Sequence, residues 1–343
     1  MDISFYSSFF EKRHKVAVIG GGSWATAIVK MLLDNAKPKS KIFWYMRSPE
    51  NIAHILKHKH NPKYISSAGL DVSRLALTNC IDDAVRESEI LIFAIPAAFL
   101  KKALEKLTEP LSKKLVVSAI KGIIPNDNLI VGEYFIEKYG VDSKNVGVIS
   151  GPCHAEEVAL ERLSYLTIAS KNLENAKLVA SLIETRYIRT SVSTDIFGIE
   201  YGAVMKNIFA LMAGVAHGIG YGDNFQAALI SKAIQEMNHF LEAVDNQPRN
   251  INNSVYLGDL LVTAYSQFSR NRTFGNMIGK GYSVKSAQLE MNMVAEGYYA
   301  TRCIKEINDK YNIDLPICTA AFHILYEGIS PALEINLLSQ SIE

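Results

Sequence analysis

The chain has 343 residues, of which 48% are hydrophobic and 21% are charged, a composition that supports the cores of about two globular domains. Lysines and arginines number 36 against 35 acids, and the resulting net charge of +1 argues against nucleic acid or an anionic membrane as a partner held by bulk charge. The four cysteines form no C-x-x-C pair and no Cys/His cluster, so we expect no metal site and a reduced, cytoplasmic protein.

The N-terminal segment carries four aromatic residues, Phe5, Tyr6, Phe9 and Phe10. A signal peptide starts with basic residues and ends at a small-residue cleavage site, whereas this segment starts with Asp2 and has no such site. We therefore expect it to pack on the folded domain as an extra arm.

Short apolar runs, each closed by glycine, proline or a polar turn, predict a series of buried strands. The predicted strands are residues 15–20, 41–45, 90–95, 115–119 and 146–149, with weaker candidates at 166–169 and 188–190. Helical stretches alternate with them, for example at 23–33, 100–107 and 129–137. The alternation predicts a Rossmann-type, doubly wound parallel sheet. The longest apolar run, 90–100, is shorter than the about 20 residues of a membrane-spanning helix.

The pattern changes after about residue 193. Residues 200–215, 225–243, 257–268 and 293–307 all have helical apolar spacing, and no convincing strand follows. The sequence therefore predicts an α/β domain over residues 1–193 and an all-helical domain over residues 194–343.

A glycine turn, Gly20-Gly21-Gly22-Ser23-Trp24-Ala25, joins the first predicted strand to the first predicted helix. In the G-x-G-x-x-G/A pattern, Gly20 makes the tight turn, Gly22 lets the backbone approach a pyrophosphate, and Ala25 takes the third, small position. The helix N-terminus offers unpaired N–H groups to the phosphates. This context predicts dinucleotide binding over residues 1–193; an ordinary glycine turn of an α/β fold is the alternative.

The end of the second predicted strand bears on the type of dinucleotide. NAD-binding units usually carry an acid about 20 residues beyond the glycines, where it bonds the ribose 2′-hydroxyl. No acid occurs between Asp34 and Glu50, and Arg47 and Ser48 stand where a 2′-phosphate would lie. We therefore expect NADP(H) to be preferred, with NAD(H) possible, unless Arg47 is simply a solvated basic residue.

Three polar groups in the C-terminal half stand out. Lys206 lies inside an apolar helix and is either extended to the surface or buried for use; spacing alone favours the surface. Asp259 and Thr263 are one helical turn apart on one face. Ser269 is a candidate helix cap, and Arg270 and Asn271 after it would converge with free N–H groups on an anion.

Taken together, these features resemble the NAD(P)-dependent glycerol-3-phosphate dehydrogenase family of bacterial type. The ordered set is specific because it extends along nearly the whole chain, and it reverses the surface interpretation of Lys206. The matching segments are Gly20–Ala27, Asn61–Tyr64, Ile95–Ala97, Lys121–Gly122, Ser150–Pro152, Ala155–Ala159, Val204–Asn207, Leu257–Leu260, Ser269–Gly275 and Val294–Tyr298.

The resemblance implies an enzyme that interconverts dihydroxyacetone phosphate and sn-glycerol 3-phosphate for phospholipid synthesis, with Lys206 as the general acid/base. Lys121 would orient the substrate, and Asp259 would fix Lys206 or a substrate hydroxyl. Arg270 and Asn271 would hold the phosphate. The full implied substrate set is Lys121, Gly151, Cys153, Lys206, Asp259, Thr263, Ser269, Arg270 and Asn271. The implied cofactor set is Gly20, Gly22, Ser23, Trp24, Arg47, Lys121, Ala155, Arg270, Val294 and Glu296. We also expect a homodimer.

Some positions depart from the family pattern. Cys153 stands where Ser or Thr is common, and His154 replaces a common Phe. Because adjacent helical residues point apart, we do not expect these two to act as a nucleophilic pair. Two other hypotheses remain: a related hydroxyacid dehydrogenase, which should lack the Arg270-Asn271 clamp, and a non-catalytic NADP sensor, which should have lost Lys206, Lys121 or Asp259.

Overall fold

The structure is a computed structural model that describes residues 14–35, 41–291 and 295–342. The predicted aromatic arm falls outside the described residues.

The described residues before position 194 form a large sheet with a small hairpin beside it. The strands are β1 Val16–Ile19, β2 Ile42–Tyr45, β3 Leu75–Thr78, β4 Ile90–Phe93, β5 Leu115–Ser118, β6 Ile123–Ile124, β7 Leu129–Ile130, β8 Val146–Ser150, β9 Ser164–Ser170 and β10 Ile188–Ser193. The order in the large sheet is β10-β9-β8-β5-β4-β1-β2-β3, and β6 pairs with β7 in the hairpin.

Six of these strands give the predicted Rossmann-type arrangement. β3, β2, β1, β4, β5 and β8 are parallel neighbours, and the order reverses between β1 and β4. The loops after β1 and β4 leave toward opposite sides, so a ligand crevice opens at the carboxyl ends of these strands. The parallel sheet predicted from the sequence is therefore confirmed at its centre.

The edges of the sheet differ from the prediction. β9 runs antiparallel to β8, and β10 runs parallel to β9, so the last two strands are reversed relative to the other six. Only a five-residue helix lies between β8 and β9, so the chain returns along the sheet instead of making a long crossover. β3, at the opposite edge, was not predicted; it is only partly buried and lacks a strong apolar run.

Successive side chains along the central strands point to opposite faces of the sheet, and each face has its own apolar core. On β1, Ala17 and Ile19 face the core that continues into the helical region. Val16 and Val18 face a second core that includes Trp44. The sheet is thus covered on both faces, as a parallel sheet requires.

The described helices change in character after β10. In the sheet region they are α1 Ser23–Asn35, α2 Pro49–His58, α3 Ile81–Arg86, α4 Ala97–Leu104, α5 Val131–Tyr139, α6 Ala155–Ala159 and α7 Leu173–Ile183. After it they are α8 Ile196–Ile219, α9 Asp223–Val244, α10 Asp259–Tyr265, α11 Arg270–Gly279, α12 Val284–Glu290, α13 Glu296–Tyr311, α14 Pro316–Phe322 and α15 Pro331–Gln340. Residues 254–258 and 323–327 form π-helical turns, and 72–74 and 143–145 form 3₁₀ turns.

The predicted helix over residues 257–268 is divided in the structure. Its start belongs to a π turn, Ser254–Gly258, α10 ends at Tyr265, and Ser269 caps the next helix, α11, by accepting from the Arg272 amide. The cap predicted at Ser269 is thus confirmed, and the single long helix is wrong.

Helix α8 is the centre of the helical region. Its 24 residues are long and apolar enough to cross a membrane, but 89% of the most apolar window is buried inside the protein. That burial is typical of a core helix. α10, α11, α13 and α14 pack around it.

Candidate active site

The glycine turn lies at the carboxyl end of β1, next to the point where the strand order reverses. Gly20 has φ +138°, and a Cβ there would collide with the carbonyl oxygen of Ala94 at the end of β4. The Gly20 carbonyl accepts from Trp44 Nε1 at 2.7 Å. The Asn61 side chain donates to the Gly21 carbonyl at 3.2 Å and to Thr26 Oγ1 at 2.9 Å. Neighbouring elements therefore hold the turn rigidly.

The backbone at the turn is open toward the side where the G-x-G-x-x-G/A pattern predicts a pyrophosphate. A Cβ added at Gly22 would meet no atom within 4 Å, so the backbone there faces open space. Ser23 begins α1, and the first amides of a helix have no intrahelical acceptor. Ala25 is fully buried, as the third position of the motif requires for close packing of helix and strand.

At the end of β2, Arg47 is exposed, as the binding of a 2′-phosphate at the surface requires. Ser48 is used locally, because its side chain accepts from the Asn51 amide and donates to Glu50 at 2.6 Å. Glu50, in the first turn of α2, thus places its carboxylate against Ser48, the residue that follows Arg47.

Four side chains from three separate segments converge above the carboxyl ends of β5 and β8; we term Lys121, Lys206, Asp259 and Thr263 the lysine cluster. Lys206 Nζ lies 2.5 Å from Asp259 Oδ1 and 3.0 Å from Thr263 Oγ1. Lys121 Nζ lies 3.1 Å from Asp259 Oδ2 and 2.8 Å from the Gly151 carbonyl. The cluster holds two cations on one carboxylate.

Burial decides the protonation behaviour of the cluster. Lys206 is only 4% exposed and Asp259 1% exposed. Burial lowers the pKa of Lys206 to about 7; Asp259 raises this pKa and Lys121 lowers it. Burial opposes ionisation of Asp259, but Lys121 and Lys206 hold its pKa below the ordinary value. Lys206 is thus able to exchange a proton near neutral pH while the carboxylate beside it stays charged.

Lys121 joins the cluster to the cofactor turn. Its Nζ lies 5.9 Å from the centre of the Trp24 ring, within the range of a cation–π contact. Trp24 follows Ser23 at the start of α1. The glycine turn and the buried lysine therefore belong to one crevice.

The helix that carries Arg270 is held unusually close to α8. A Cβ added at Gly214 or Gly218 would collide with the backbone of α11, and one added at Gly275 or Gly279 would collide with the backbone of α8. Each pair is four residues apart, so both helices present a glycine row to the other. The close approach places the N-terminus of α11 beside Asn207.

Asn271 is engaged in a buried network. Its Nδ2 donates to Asn207 Oδ1 at 2.9 Å, and its Oδ1 accepts from the Gly297 amide at 2.9 Å. Asn207 in turn donates to the Lys121 carbonyl at 2.8 Å. Asn271 therefore connects three helices with the Lys121 loop, which leaves Arg270 and the end of α11 as the more available part of the predicted phosphate clamp.

Glu296, at the start of α13, reaches across to the sheet domain. Its Oε1 accepts from the Ala97 amide at 2.9 Å, and a Cβ at Gly122 would come within 2.7 Å of its Oε2. Burial raises the pKa of Glu296 to about 7, partly offset by that amide and by Arg270. Val294, the neighbouring predicted cofactor residue, lies outside the described residues.

The loop after β8 brings Gly151, Cys153 and His154 to the cluster. Gly151 has φ +124°, and its missing Cβ leaves room for the Tyr165 carbonyl.

Burial raises the pKa of the Cys153 thiol to about 12, so it stays protonated. Burial, with Lys121 and Lys206 nearby, lowers the pKa of His154 to about 4. A neutral thiol and a neutral imidazole do not form an activated pair, which agrees with the expectation from the sequence. The reason given there is wrong, because both residues precede the helix α6. Ala155 is buried at the start of α6.

Two polar residues of this network were not among the predicted site residues. Ser150 Oγ lies 3.4 Å from Asp259 Oδ2, and Asn207 links Lys121 to Asn271 as described. Both had a local signal, because Ser150 ends a buried strand before Gly151 and Asn207 directly follows Lys206.

Two family sequence models match the chain. The model described as the NAD-dependent glycerol-3-phosphate dehydrogenase N-terminus matches residues 15–176, and the model of the C-terminus matches residues 195–336. The chain belongs to this family. The resemblance inferred from the sequence, and with it the class of NAD(P)-dependent oxidoreductases, is confirmed.

Named relatives agree with the family assignment. A glycerol-3-phosphate dehydrogenase (NAD(P)⁺) of Latilactobacillus sakei is 33% identical over 330 residues, which cover 95% of this chain and 96% of the relative. The protein of the same name from Bacillus subtilis is 34% identical over 317 residues, covering 92% and 90%. The crystal structure of the Coxiella burnetii glycerol-3-phosphate dehydrogenase has a similar fold, with a TM-score of 0.86 at 24% identity, covering 95% and 98%.

Proposed function

We propose that this family member interconverts dihydroxyacetone phosphate and sn-glycerol 3-phosphate with a nicotinamide cofactor. The observation that carries the proposal is the buried Lys206–Asp259 pair, joined through Lys121 to the cofactor turn at Trp24. The named relatives use NAD(P)⁺, and the reaction would supply the glycerol backbone of phospholipids.

The residues at the glycine turn fit a dinucleotide, whose nicotinamide exchanges a hydride with the substrate carbon when bound. Gly20, Gly22 and the first amides of α1 would receive the pyrophosphate. Ser23, Trp24 and Ala155 would line the cofactor. Glu296 and Arg270 would close the crevice from the helical side, since both lie at N-termini of helices that face the sheet domain.

Lys206 would exchange the proton at the C2 oxygen of the substrate. In the reduction of the ketone, its ammonium stabilises the developing alkoxide and donates a proton to it. In the oxidation of the alcohol, the neutral amine accepts that proton. Asp259 and Thr263 hold the amine in place. Lys121, which pairs with the same carboxylate, would donate a second hydrogen bond to the substrate oxygen and so orient the carbonyl.

The substrate phosphate would bind at the start of α11. Arg270 and the free amides there present positive charge to an anion, and Ser269 holds the end of the helix in shape. Asn271 would contribute chiefly by fixing the helix, since its amide is already bonded to Asn207 and Gly297. Gly151 and Cys153 would line the other side of the substrate.

Several finer points belong to the same proposal. We assign residues 1–193 to cofactor binding and residues 194–343 to catalysis, supported by the end of β10 at Ser193 and the start of α8 at Ile196. We propose NADP(H) as the preferred cofactor because Arg47 is exposed at the end of β2. The Glu50 carboxylate, bonded to the neighbouring Ser48, would moderate that preference. We also propose a homodimer and a cytoplasmic location.

A direct assay tests the activity. The purified protein is mixed with dihydroxyacetone phosphate and either NADPH or NADH, and cofactor oxidation is followed by absorbance. We expect oxidation that depends on the phosphorylated substrate, with dihydroxyacetone as the control. A protein that oxidises neither cofactor would refute the proposal, and activity on a hydroxyacid instead would favour the related dehydrogenases.

A further inference from the structure

Helix α8 presents two glycines and the proposed catalytic lysine on one face. Gly198, Gly202 and Lys206 are each separated by four residues, so they lie one above another. A Cβ at Gly198 would collide with the Arg249 guanidinium, and one at Gly202 would lie 3.0 Å from the Tyr256 ring. Because these glycines have no Cβ, the Arg249 and Tyr256 side chains lie against α8 within about two helical turns of Lys206.

A buried hydrogen-bond network fixes these side chains to the start of α8. Asp195 caps the helix by accepting from the Gly198 amide at 2.9 Å. The same carboxylate accepts from Arg249 Nε at 2.8 Å and from the Tyr256 hydroxyl at 2.5 Å. Arg249 also donates to the Asp245 carbonyl at 2.7 Å and is almost fully buried. Tyr256 is thereby held at both its ring and its hydroxyl.

Tyr256 lies within the π turn Ser254–Gly258, which ends directly before Asp259. A π turn inserts about one extra residue into the helical path, and one residue corresponds to a rotation of about 100°. The direction in which Asp259 points therefore depends on how this turn is held. Among the described contacts, Tyr256 joins the turn both to Gly202, one helical turn before Lys206, and to the cap of α8.

We propose that Tyr256, held by Asp195 and Arg249, is a positioning residue that aligns Asp259 with Lys206. It is distinct from the proposed catalytic residues because its side chain contacts Asp195 and Gly202 and, among the described contacts, neither Lys206 nor Asp259. The inference rests on the proposed role of the Lys206–Asp259 pair.

The first test compares Tyr256→Phe with a matched control, Tyr187→Phe. Both tyrosines are 4% exposed and donate from their hydroxyl to an aspartate, but Tyr187 bonds Asp34 in the sheet domain. We expect Tyr256→Phe to lower kcat by about tenfold, because small misalignments of catalytic groups have large effects on rate. The KM for dihydroxyacetone phosphate should stay within about twofold, because the phosphate site at α11 is untouched. Tyr187→Phe should lower the melting temperature, because it removes the bond to Asp34, but it should leave kcat unchanged.

A pH profile distinguishes positioning from a general loss of stability. The charged and titratable groups that face Lys206 are Asp259 from α10, Lys121 from the end of β5 and His154 from the start of α6. Asp259 raises the pKa of Lys206, whereas Lys121 and burial lower it. If Asp259 is less well aligned in Tyr256→Phe, the alkaline fall of the reduction rate should move to lower pH. The control should keep the wild-type profile.

A second variant covers the case in which Tyr256→Phe does not fold. Gly202→Ala adds a methyl group 3.0 Å from the tyrosine ring and favours the helix, so it displaces the ring without removing a hydrogen bond. It should reproduce the loss of kcat and the shifted profile. Wild-type kcat and pH profile in the folded variants would overturn the positioning role. A wild-type protein without turnover would instead refute the proposed function.

Discussion

The glycine turn and the lysine cluster differ in the groups that they would present to a ligand. The turn consists of consecutive residues, Gly20 to Ala25, and offers backbone amides and open space. The cluster consists of side chains from distant segments: Lys121 and Asp259 are 138 positions apart in the sequence, and Lys206 and Asp259 are 53 apart. A site made of backbone groups therefore depends mainly on local conformation, whereas a buried ionic site depends on how whole domains pack.

The difference extends to electrostatics. The turn needs no charged side chain for its proposed role, because helix amides and the helix dipole would attract the phosphates of a dinucleotide. The cluster places two lysines on one buried carboxylate, and that arrangement is stable only if every charge keeps a partner. Substitutions should therefore separate cofactor binding from proton transfer.

The largest effect is expected from Lys206→Met, which removes the proposed proton donor. We expect kcat to fall by about 10²–10⁴-fold, the usual contribution of a general acid. Cofactor affinity, measured by titration of NADPH fluorescence, should persist because the glycine turn is intact. Lys30→Met is the matched control, since Lys30 is also buried and paired with an aspartate. It should lose stability and keep kcat; unchanged turnover in Lys206→Met would contradict the assignment.

The second effect concerns the turn itself. Gly22→Val fills the open space in which the backbone would meet the pyrophosphate, so the Kd for the cofactor should rise by at least about tenfold. Because the new Cβ meets no atom within 4 Å, the melting temperature should stay near that of the wild type. Gly69→Val, at another open position, is the control. Unchanged cofactor affinity in Gly22→Val would argue against the pyrophosphate site.

The pH dependence tests the cluster without a mutation. A group that must be protonated for ketone reduction and has a pKa of about 7 makes the reduction rate fall above that pH, by about tenfold per unit. Oxidation of glycerol 3-phosphate needs the neutral amine, so its rate should rise over the same range. Measurement of kcat/KM in both directions between pH 5.5 and 9 tests the relation, and parallel profiles would exclude Lys206 as the shared acid and base.

Arg47→Glu addresses the type of cofactor. Loss of a charge-assisted bond to a 2′-phosphate should raise the KM for NADPH by at least about tenfold while changing that for NADH little. Glu50→Gln should lower the KM for NADPH, because it removes the negative charge bonded to Ser48, the residue after Arg47. An equal loss for both cofactors would show that Arg47 does not read the 2′-phosphate.

The smallest effect is on stability, at a carboxyl between the sheet region and α8. Burial raises the pKa of Glu200 to about 8, opposed by the Gly132 amide that it accepts from. Because the folded-state pKa is above the unfolded one, its stabilising contribution is complete below about pH 4.5 and is lost as the pH rises toward 8. Between pH 5 and pH 8, the melting temperature of Glu200→Gln should therefore fall less than that of the wild type. An identical pH dependence would mean that Glu200 is ionised in the folded protein.

The predictions from sequence succeeded where the signal was local. The strand, glycine turn and helix at residues 15–33 were recognised because three consecutive patterns agree. The cap at Ser269 was recognised because a cap also depends only on neighbouring residues. Three features were not recognised: the direction of β9, the division of the helix over 257–268, and the bond between Ser48 and Glu50. Each depends on packing or on a side chain beyond the strand end.

The sequence by itself determined the alternation of strands and helices in the sheet domain, the glycine turn and, through the ordered motifs, the family. These depend on short-range backbone preferences and on apolar periodicity. The resemblance left open whether Asp259 fixes Lys206 or a substrate hydroxyl. Only the tertiary structure decided that Asp259 pairs with Lys206, that the Asn271 amide is bonded to Asn207, and that glycine rows let α8 and α11 approach. The physical reason is that desolvation and ion pairing depend on which segments meet in space, and spacing along the chain does not specify that meeting.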